Sequence, residues 1–484
     1  MSKKDFWNPQ QLRTVTGGSW IIRPGSGVEV TGISTDTRTI EQGQAFVALR
    51  GERFDAHAFL HVAADAGASL LIVDDPRSAE RLTGAREGQV GVLRVRDTLE
   101  ALVRLATAYR QTLDSTRVIA VTGSNGKTTT VRLIEAVLGG RMRGRASMRS
   151  YNNIIGVPLT ILSARPGDQF LVCEVGMNAP GEIEPLARML QPDIGVLTSI
   201  GRAHIENLGS KEAIAREKAT LFAYLRSGGV AIATADAPEL GELLKPVANV
   251  ITFGVSDHAD LRLTRVESIE GGRGIRFQIN ARTEYDLPLA GRHNALNAIG
   301  AVAVGRRLGL DEDAIRAGLL GARSADMRLQ MAEVRGVRVV NDAYNASPES
   351  VRAAIDAFGP MVAGAERRVM VLGDMLELGE HAERAHLEIA DLLLSGEVPD
   401  VLITVGEHAL LIADRVSQKD SSVEVAMYSQ LDAGSARSIA GRLRPGDAVL
   451  LKGSRRMALE RIVEALERSE EDEADQSSSI HRVA

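Results

Sequence analysis

The sequence predicts an α/β protein of three domains, a central doubly wound sheet flanked by a small N-terminal α/β domain and a C-terminal Rossmann-like domain. Three observations carry this. A chain of 484 residues exceeds what one hydrophobic core usually serves. Short β-branched runs alternate with longer helical ones, the pattern of parallel strands joined by crossover helices. That alternation restarts near residue 326, after an interval with a different rhythm.

The first domain, 1–115, has strand-like runs at Ala45–Leu49 and Ser69–Val73 and helical ones at Ala56–Ala66 and Leu99–Leu113. Its polar loops, Ser34-Thr35-Asp36-Thr37-Arg38 and Arg50 to His57, read by themselves as turns. From 116 to 325, strands are expected at 117–122, 169–175, 193–198, 229–233 and 250–253, and helices at 127–138, 180–190, 210–225 and 292–308. Ligands of such a sheet sit beyond the C-terminal strand ends. Residues 260–289 read as a β-meander placed before the last helix. The third domain, 326–468, repeats the strand signal at 337–341, 368–372, 400–404, 423–427 and 447–451. The segment 469–484 is acidic, serine-rich and poor in large apolar residues, which predicts disorder.

Composition excludes several function classes. A formal charge of −6, from 57 basic and 63 acidic side chains, argues against a general nucleic-acid binder. The lone Cys173 rules out an internal disulfide and fits a reducing compartment; within the apolar run Phe170 to Val175 it reads as a buried bystander. The N-terminal segment has no apolar signal-like region, and no run approaches membrane-spanning length, so a cytoplasmic protein without membrane insertion is expected.

The most informative stretch is Val118 to Thr130, VIAVTGSNGKTTT. Val118, Ile119 and Val121 read as a buried strand, Gly123 and Gly126 permit a tight turn, and Lys127 opens a helix. This is a P-loop-like cradle. Backbone N–H groups at the helix N-terminus favour an anion, Lys127 reaches phosphates, and the Thr128 hydroxyl is placed for magnesium. The match departs from the strict pattern, because Val121 stands where its first glycine belongs.

Glu174 closes one strand and His204 follows another, so both emerge at the cradle's edge, where they could complete a magnesium shell. Lys218 lies four residues from both Ile214 and Phe222, on the apolar stripe of its helix. An ammonium so placed must find a partner, snorkel to solvent or lose its charge. Asn294 and Asn297 open a long helix; an asparagine amide can both donate to and accept from an adenine edge, and Asn294 can equally cap the helix. Three polar clusters follow strands of the third domain: Asn341 to Pro348, Gly373 to Gly379 and Lys452 to Arg455. All could converge on one edge.

Together these residues resemble the Mur ligases over roughly 28–466. TGSNGKTTT is shared with folylpolyglutamate synthases and cyanophycin-type ligases, whereas YNNIIGVPLT, CEVGMN and the helix around Lys218 are more selective. NDAYNASPES, LGDMLELGEHA and LKGSRRMALE are similar to the D-alanyl-D-alanine-adding branch, and the DNPR motif of the diaminopimelate-adding branch is absent.

The resemblance implies ATP-dependent amide-bond formation through an acyl phosphate, joining D-alanyl-D-alanine to UDP-MurNAc-tripeptide in peptidoglycan precursor synthesis. It implies that Gly123, Ser124, Asn125, Gly126, Lys127, Thr128 and Thr129 hold ATP, and that Asn297, Arg328 and Asp342 also serve the nucleotide. Two magnesium ions would be held by Thr128, Glu174, His204 and Lys218, the lysine being carbamylated. Ser34, Asp36, Thr37 and Arg38 would lie near UDP, Asn152 and Asn153 near the sugar or diphosphate, and Asn345 with the 373–381 loop near the dipeptide. Ala56 departs from the glycine of many relatives. A monomer is expected. A folylpolyglutamate synthase-like ligase, which needs no uridine module before residue 116, and an ATP-switched binding protein are the alternatives.

Overall fold

The computed structural model describes residues 6–51, 54–77, 90–148, 150–396 and 398–468; the segment 469–484, expected to be disordered, lies outside them. Among the described residues the strands form three large sheets and a two-stranded ribbon.

The N-terminal sheet has five strands in the order Ser19–Ile22, Gly91–Arg94, Leu70–Val73, Ala45–Val47, Ile33–Ser34. All pairs are parallel except the first, which is antiparallel. The helix expected at Ala56–Ala66 divides into a 3-10 turn, Ala56–Phe59, and a helix, Leu60–Asp65. Asp55 fixes the start at the expected residue: its carboxylate accepts from the His57 N–H, as an N-cap does.

The central sheet has nine strands, in the order Thr283–Leu287, Gly274–Ile279, Leu261–Ile269, Val250–Gly254, Val230–Thr234, Ile194–Leu197, Arg117–Thr122, Phe170–Glu174, Gly144–Ala146. The expected meander extends this same sheet, entering it parallel to Val250–Gly254. Arg117–Thr122 lies between two parallel neighbours, with Glu174 opposite Val121 and Leu197 opposite Thr122. Their C-terminal ends are therefore level, and three loops open at one edge. Val118 to Val121 are fully buried, as a strand covered on both faces must be.

One of those faces is covered by the helix Lys127–Gly139, against which Arg292–Arg307 packs. The latter is buried almost all round and uses small residues, Ala295, Ala298, Ala301 and Gly305, to come close. A Cβ on Gly305 would sit 2.9 Å from Val137 Cγ1. The helix expected at 210–225 is α-helical over Lys211–Ala219 and continues as a 3-10 turn, Thr220–Tyr224.

The C-terminal sheet has six strands in the order Gln330–Val334, Val337–Asn341, Asp447–Lys452, Arg367–Gly373, Val401–Val405, Glu424–Tyr428, parallel except for the first pair. Val337–Asn341, Asp447–Lys452 and Arg367–Gly373 are adjacent, so the three polar clusters that follow them do share one edge. Among the described residues no helix is long and apolar enough to cross a membrane.

The N-terminal unit meets the central one through an aromatic cluster. Phe6, Trp7 and Tyr109 pack with ring centroids 4.9–5.2 Å apart, and the Tyr109 hydroxyl donates to Ala164 O at 2.6 Å. Beside it Arg110, fully buried, donates to Leu190 O and Gln191 O, and burial pulls its guanidinium down to about 10. Tyr109→Ala should therefore destabilise this seam by about 3–5 kcal/mol, read as a lower midpoint of thermal unfolding. Cys173 is buried, which pushes its thiol up to about 12. Below that pH it stays protonated, so Ellman's reagent at pH 8 should find no thiol in the native protein and one after denaturation.

Candidate active site

The loop after Arg117–Thr122 is shaped by two glycines that L-residues could not replace. Gly123 and Gly126 have φ of 151° and 83°, and a Cβ would run into Thr198 Oγ1 at the first and Asn297 Oδ1 at the second. Gly126 is the N-cap of the helix Lys127–Gly139, so that helix's free N–H groups face the loop. Neighbouring residues 198–201 hold the loop in place. Ser124 N donates to Ser199 O at 2.9 Å, Asn125 N donates to Ser199 Oγ at 2.9 Å, and Gly201 N donates to Ser124 Oγ at 2.9 Å.

Lys127 curls over this loop, Nζ donating to Gly123 O at 2.8 Å. Burial, with Arg328 adding to it, draws its ammonium below the usual lysine range, against the opposing pull of Glu174. The Thr128 hydroxyl is a junction: it donates to Glu174 Oε2 at 2.8 Å and accepts from Arg328 Nη2 at 2.9 Å. The other Glu174 oxygen accepts from Asn152 Nδ2 at 2.8 Å, and the Glu174 N–H donates to Ser147 Oγ. Arg328 stacks on Tyr344, its Cζ 4.4 Å from the ring centroid.

His204 faces Glu377 of the C-terminal unit, Nδ1 2.6 Å from Oε2. The imidazole holds the Glu377 carboxyl below the usual carboxylate range. Both residues have φ of 64°, a left-handed conformation that costs a non-glycine residue about 1–2 kcal/mol, and such strain gathers at functional sites.

These groups enclose a cavity of about 300 Å³ between the central and C-terminal units. Ser124, Asn125, Gly126, Lys127, Asn152, Asn153, Glu174, His204, Arg328 and Asn345 line it, with Glu182, Tyr344, Glu377, Arg455 and Arg456. Gly123, Thr128 and Thr129 belong to the same loop and helix without lining it. A larger cavity, about 780 Å³, opens elsewhere, against the helix Ala433–Ala440, and no expected site residue reaches it.

Other expected residues sit behind the wall. Asn297 is buried against Gly126, its amide donating to Asn294 Oδ1 at 3.1 Å. Asp342 pairs with Lys452 at 2.9 Å and accepts from Leu329 N, next to Arg328. Asn153, which does line the cavity, also starts a helix, its Oδ1 accepting from Ile155 N and Gly156 N. Ser34, Asp36, Thr37 and Arg38 do not line the cavity. There Ser34 Oγ donates to Asp36 O, and Arg38 binds Asp36 at 2.6 Å and draws its carboxyl down to about 2.

Lys218 is 1 % exposed, and among the described residues its ammonium has neither a hydrogen bond nor a carboxylate within 4.0 Å. Burial, together with repulsion from Lys127, pulls it well below the usual lysine range. Among the described residues no three His, Cys, Asp or Glu are grouped as metal ligands. Magnesium, however, prefers oxygen ligands and keeps several waters, so the Glu174 carboxylate and Thr128 hydroxyl suit it, and a neutral or modified Lys218 fits far better than an ammonium. Sequence reasoning missed Glu182, Glu377 as the partner of His204, and Arg202, which binds Glu349 and Glu388 across the units. The only signal for Arg202 is its place in the GRAHIE loop.

Comparison with known proteins follows the same lines. Three family models match: the Mur ligase family catalytic domain over 29–110, the Mur ligase middle domain over 121–305, and the Mur ligase glutamate ligase domain over 327–455. The UDP-N-acetylmuramoyl-tripeptide–D-alanyl-D-alanine ligase of Bacillus subtilis is 37% identical over 96% of this chain and 96% of its own. A crystal structure of MurF from Acinetobacter baumannii superposes with a TM-score of 0.81 at 29% identity, covering 95% of this chain and 99% of its own. The MurF ligase of Thermotoga maritima, in complex with ADP, gives 0.74 at 27% identity, covering 91% and 98%. The chain belongs to the Mur ligase family, among its UDP-N-acetylmuramoyl-tripeptide–D-alanyl-D-alanine ligases.

Proposed function

We propose that the chain joins D-alanyl-D-alanine to UDP-MurNAc-tripeptide at the expense of ATP, forming the pentapeptide precursor of peptidoglycan. The observation that carries this is the Thr128 junction, where the cradle, Glu174 and Arg328 of the C-terminal unit meet at one hydroxyl. The relatives named for this reaction match the chain almost end to end.

A carboxylate does not react with an amine at neutral pH, because its leaving group is poor. ATP supplies the remedy. A terminal carboxylate oxygen of the tripeptide attacks the γ-phosphorus; the new O–P bond forms as the bond to the β-phosphate oxygen breaks, releasing ADP and leaving an acyl phosphate. The dipeptide amine then attacks the acyl carbon, and the tetrahedral intermediate expels phosphate as the nitrogen loses its proton. Gly123 to Thr129 cradle the triphosphate, with Lys127 offsetting charge on the transferring group. Two magnesium ions, held by Thr128, Glu174, His204 and carbamylated Lys218, would further offset that charge.

Asn297, beside Gly126, is assigned to adenine. Asp342 acts by fixing the backbone next to Arg328, which reaches the cradle from the C-terminal unit. Asn152 and Asn153 take the sugar or diphosphate, Ser34 to Arg38 the uridine end, and Asn345 with the 373–381 loop the dipeptide. The three units, 1–115, 116–325 and 326–468, divide this labour in a cytoplasmic monomer with no nucleic-acid or membrane partner. Carbamylation is favoured because burial, with repulsion from Lys127, disfavours the ammonium; the amine nitrogen bonds to the carbon of carbon dioxide and gives up a proton. The product is an anion, and it replaces a cation that repels Lys127.

Two outcomes test this. Phosphate release from ATP should require both UDP-MurNAc-tripeptide and D-alanyl-D-alanine, should not respond to folate plus glutamate, and should fall by more than about 10³-fold in Lys127→Ala with an unchanged circular dichroism spectrum. Release indifferent to both peptide substrates overturns the assignment. Separately, protein equilibrated with ¹³C-bicarbonate should show a carbamate resonance that is absent from Lys218→Ala.

A further inference from the structure

The loop that presents His204 also presents Arg202, to which neither binding nor chemistry gives a part. Its guanidinium reaches out of the central unit. Nε donates to Glu349 Oε1 at 3.0 Å and Nη1 donates to Glu388 Oε2 at 2.7 Å. The Arg202 N–H lies 3.3 Å from both Glu349 oxygens. Glu349 stands in the first turn of the helix Pro348–Met361, and Glu388 lies within Ala382–Ser395. One side chain thus ties two helices of the C-terminal unit. Gly201 allows the approach, since a Cβ there would come within 3.0 Å of Glu349 Oε2. Further along the loop, His204 meets Glu377, and Glu206 N donates to Glu377 O at 3.3 Å.

We propose that Arg202 is a positioning residue that couples docking of the C-terminal unit to placement of His204. This rests on the reaction above, in which Arg328 must meet Thr128. Isolated, partly exposed ion pairs contribute little, and these side chains are 26 %, 37 % and 32 % exposed. A guanidinium forked between two carboxylates is a stronger, directional case, and a lysine cannot reproduce it. Both carboxylates belong to the unit opposite, so the fork stabilises the docked arrangement rather than the fold of either unit. Docking through Arg202 carries the loop with it, and His204 comes to face the cavity.

The test compares Arg202→Ala, Arg202→Lys and the double variant Glu349→Gln/Glu388→Gln with the parent. Arg202→Ala should lower kcat about tenfold, leave KM for ATP within about twofold, and leave the midpoint of thermal unfolding unchanged. The double variant should reproduce that loss, combine with Arg202→Ala non-additively, and Arg202→Lys should recover part of it. Small-angle scattering with ADP should give a larger radius of gyration for Arg202→Ala than for the parent. The proposal is overturned if Arg202→Ala turns over within about twofold of the parent, if the double variant is silent while Arg202→Ala is not, or if the radii agree. The scattering arm uses nucleotide alone, so it stands even where the peptide substrates prove wrong.

Discussion

The hydroxyl of Thr128 is the point on which the site depends. It can donate once and accept, and both capacities are used: toward Glu174 at the end of a central strand, and from Arg328 at the start of the C-terminal unit. A hydroxyl buried this deeply must satisfy its bonds or cost about 1–3 kcal/mol, so the two units are drawn together at the mouth of the cradle. The loop geometry that puts Thr128 there depends on Gly126, which is held at positive φ against Asn297.

The two seams of the molecule differ in kind. Toward the N-terminal unit the contact is apolar and aromatic, with Phe6, Trp7 and Tyr109 packed together and Arg110 capping a central helix end. Opening that seam would expose large apolar surface and an arginine already stripped of water. Around the cavity, the contacts toward the C-terminal unit are polar: Ser347 Oγ to Asn125 Oδ1 at 3.0 Å, Arg202 to Glu349 and Glu388, His204 to Glu377. Water can take up the hydrogen bonds that these contacts release when the units part. An apolar N-terminal joint and a polar cavity rim toward the C-terminal unit suit an enzyme that must admit a nucleotide, a long anionic peptide and a dipeptide, and then exclude water.

Legibility in the sequence followed physical period and burial. The central strands were readable because both faces are covered, which makes them continuous apolar runs, and the cradle was readable because glycine and lysine at those offsets have few other uses. The place of Lys218 on an apolar stripe was readable from Ile214 and Phe222, both 5 % exposed or less, even though the helix tightens to a 3-10 turn before Phe222; whether its ammonium would snorkel to solvent was not. Ser19–Ile22, Ile33–Ser34, Gly91–Arg94 and Gly144–Ala146 are too short to show a period, and edge or neighbour pairing creates them. The pairing of Glu377 with His204 and the part of Arg202 were invisible for another reason: each rests on a partner more than a hundred residues away, and one chain without its fold offers no such pairing.

The buried lysine and the cradle lysine are best understood together. Burial and the neighbouring Lys127 both disfavour the Lys218 ammonium, while burial and Arg328 disfavour that of Lys127 and Glu174 opposes them. A lysine serves an anion pocket as a cation only where its ammonium is solvated or paired. Lys218 is not, and a triphosphate in the cradle would be answered by Lys127, Arg328 and the helix N-terminus without it. The carbamylation proposed above would turn Lys218 into an anion, ending the repulsion and adding oxygen donors to those of Thr128 and Glu174. The burial that makes the ammonium costly is what would favour such a change, so the packing that hides Lys218 from solvent and its proposed chemistry have one cause.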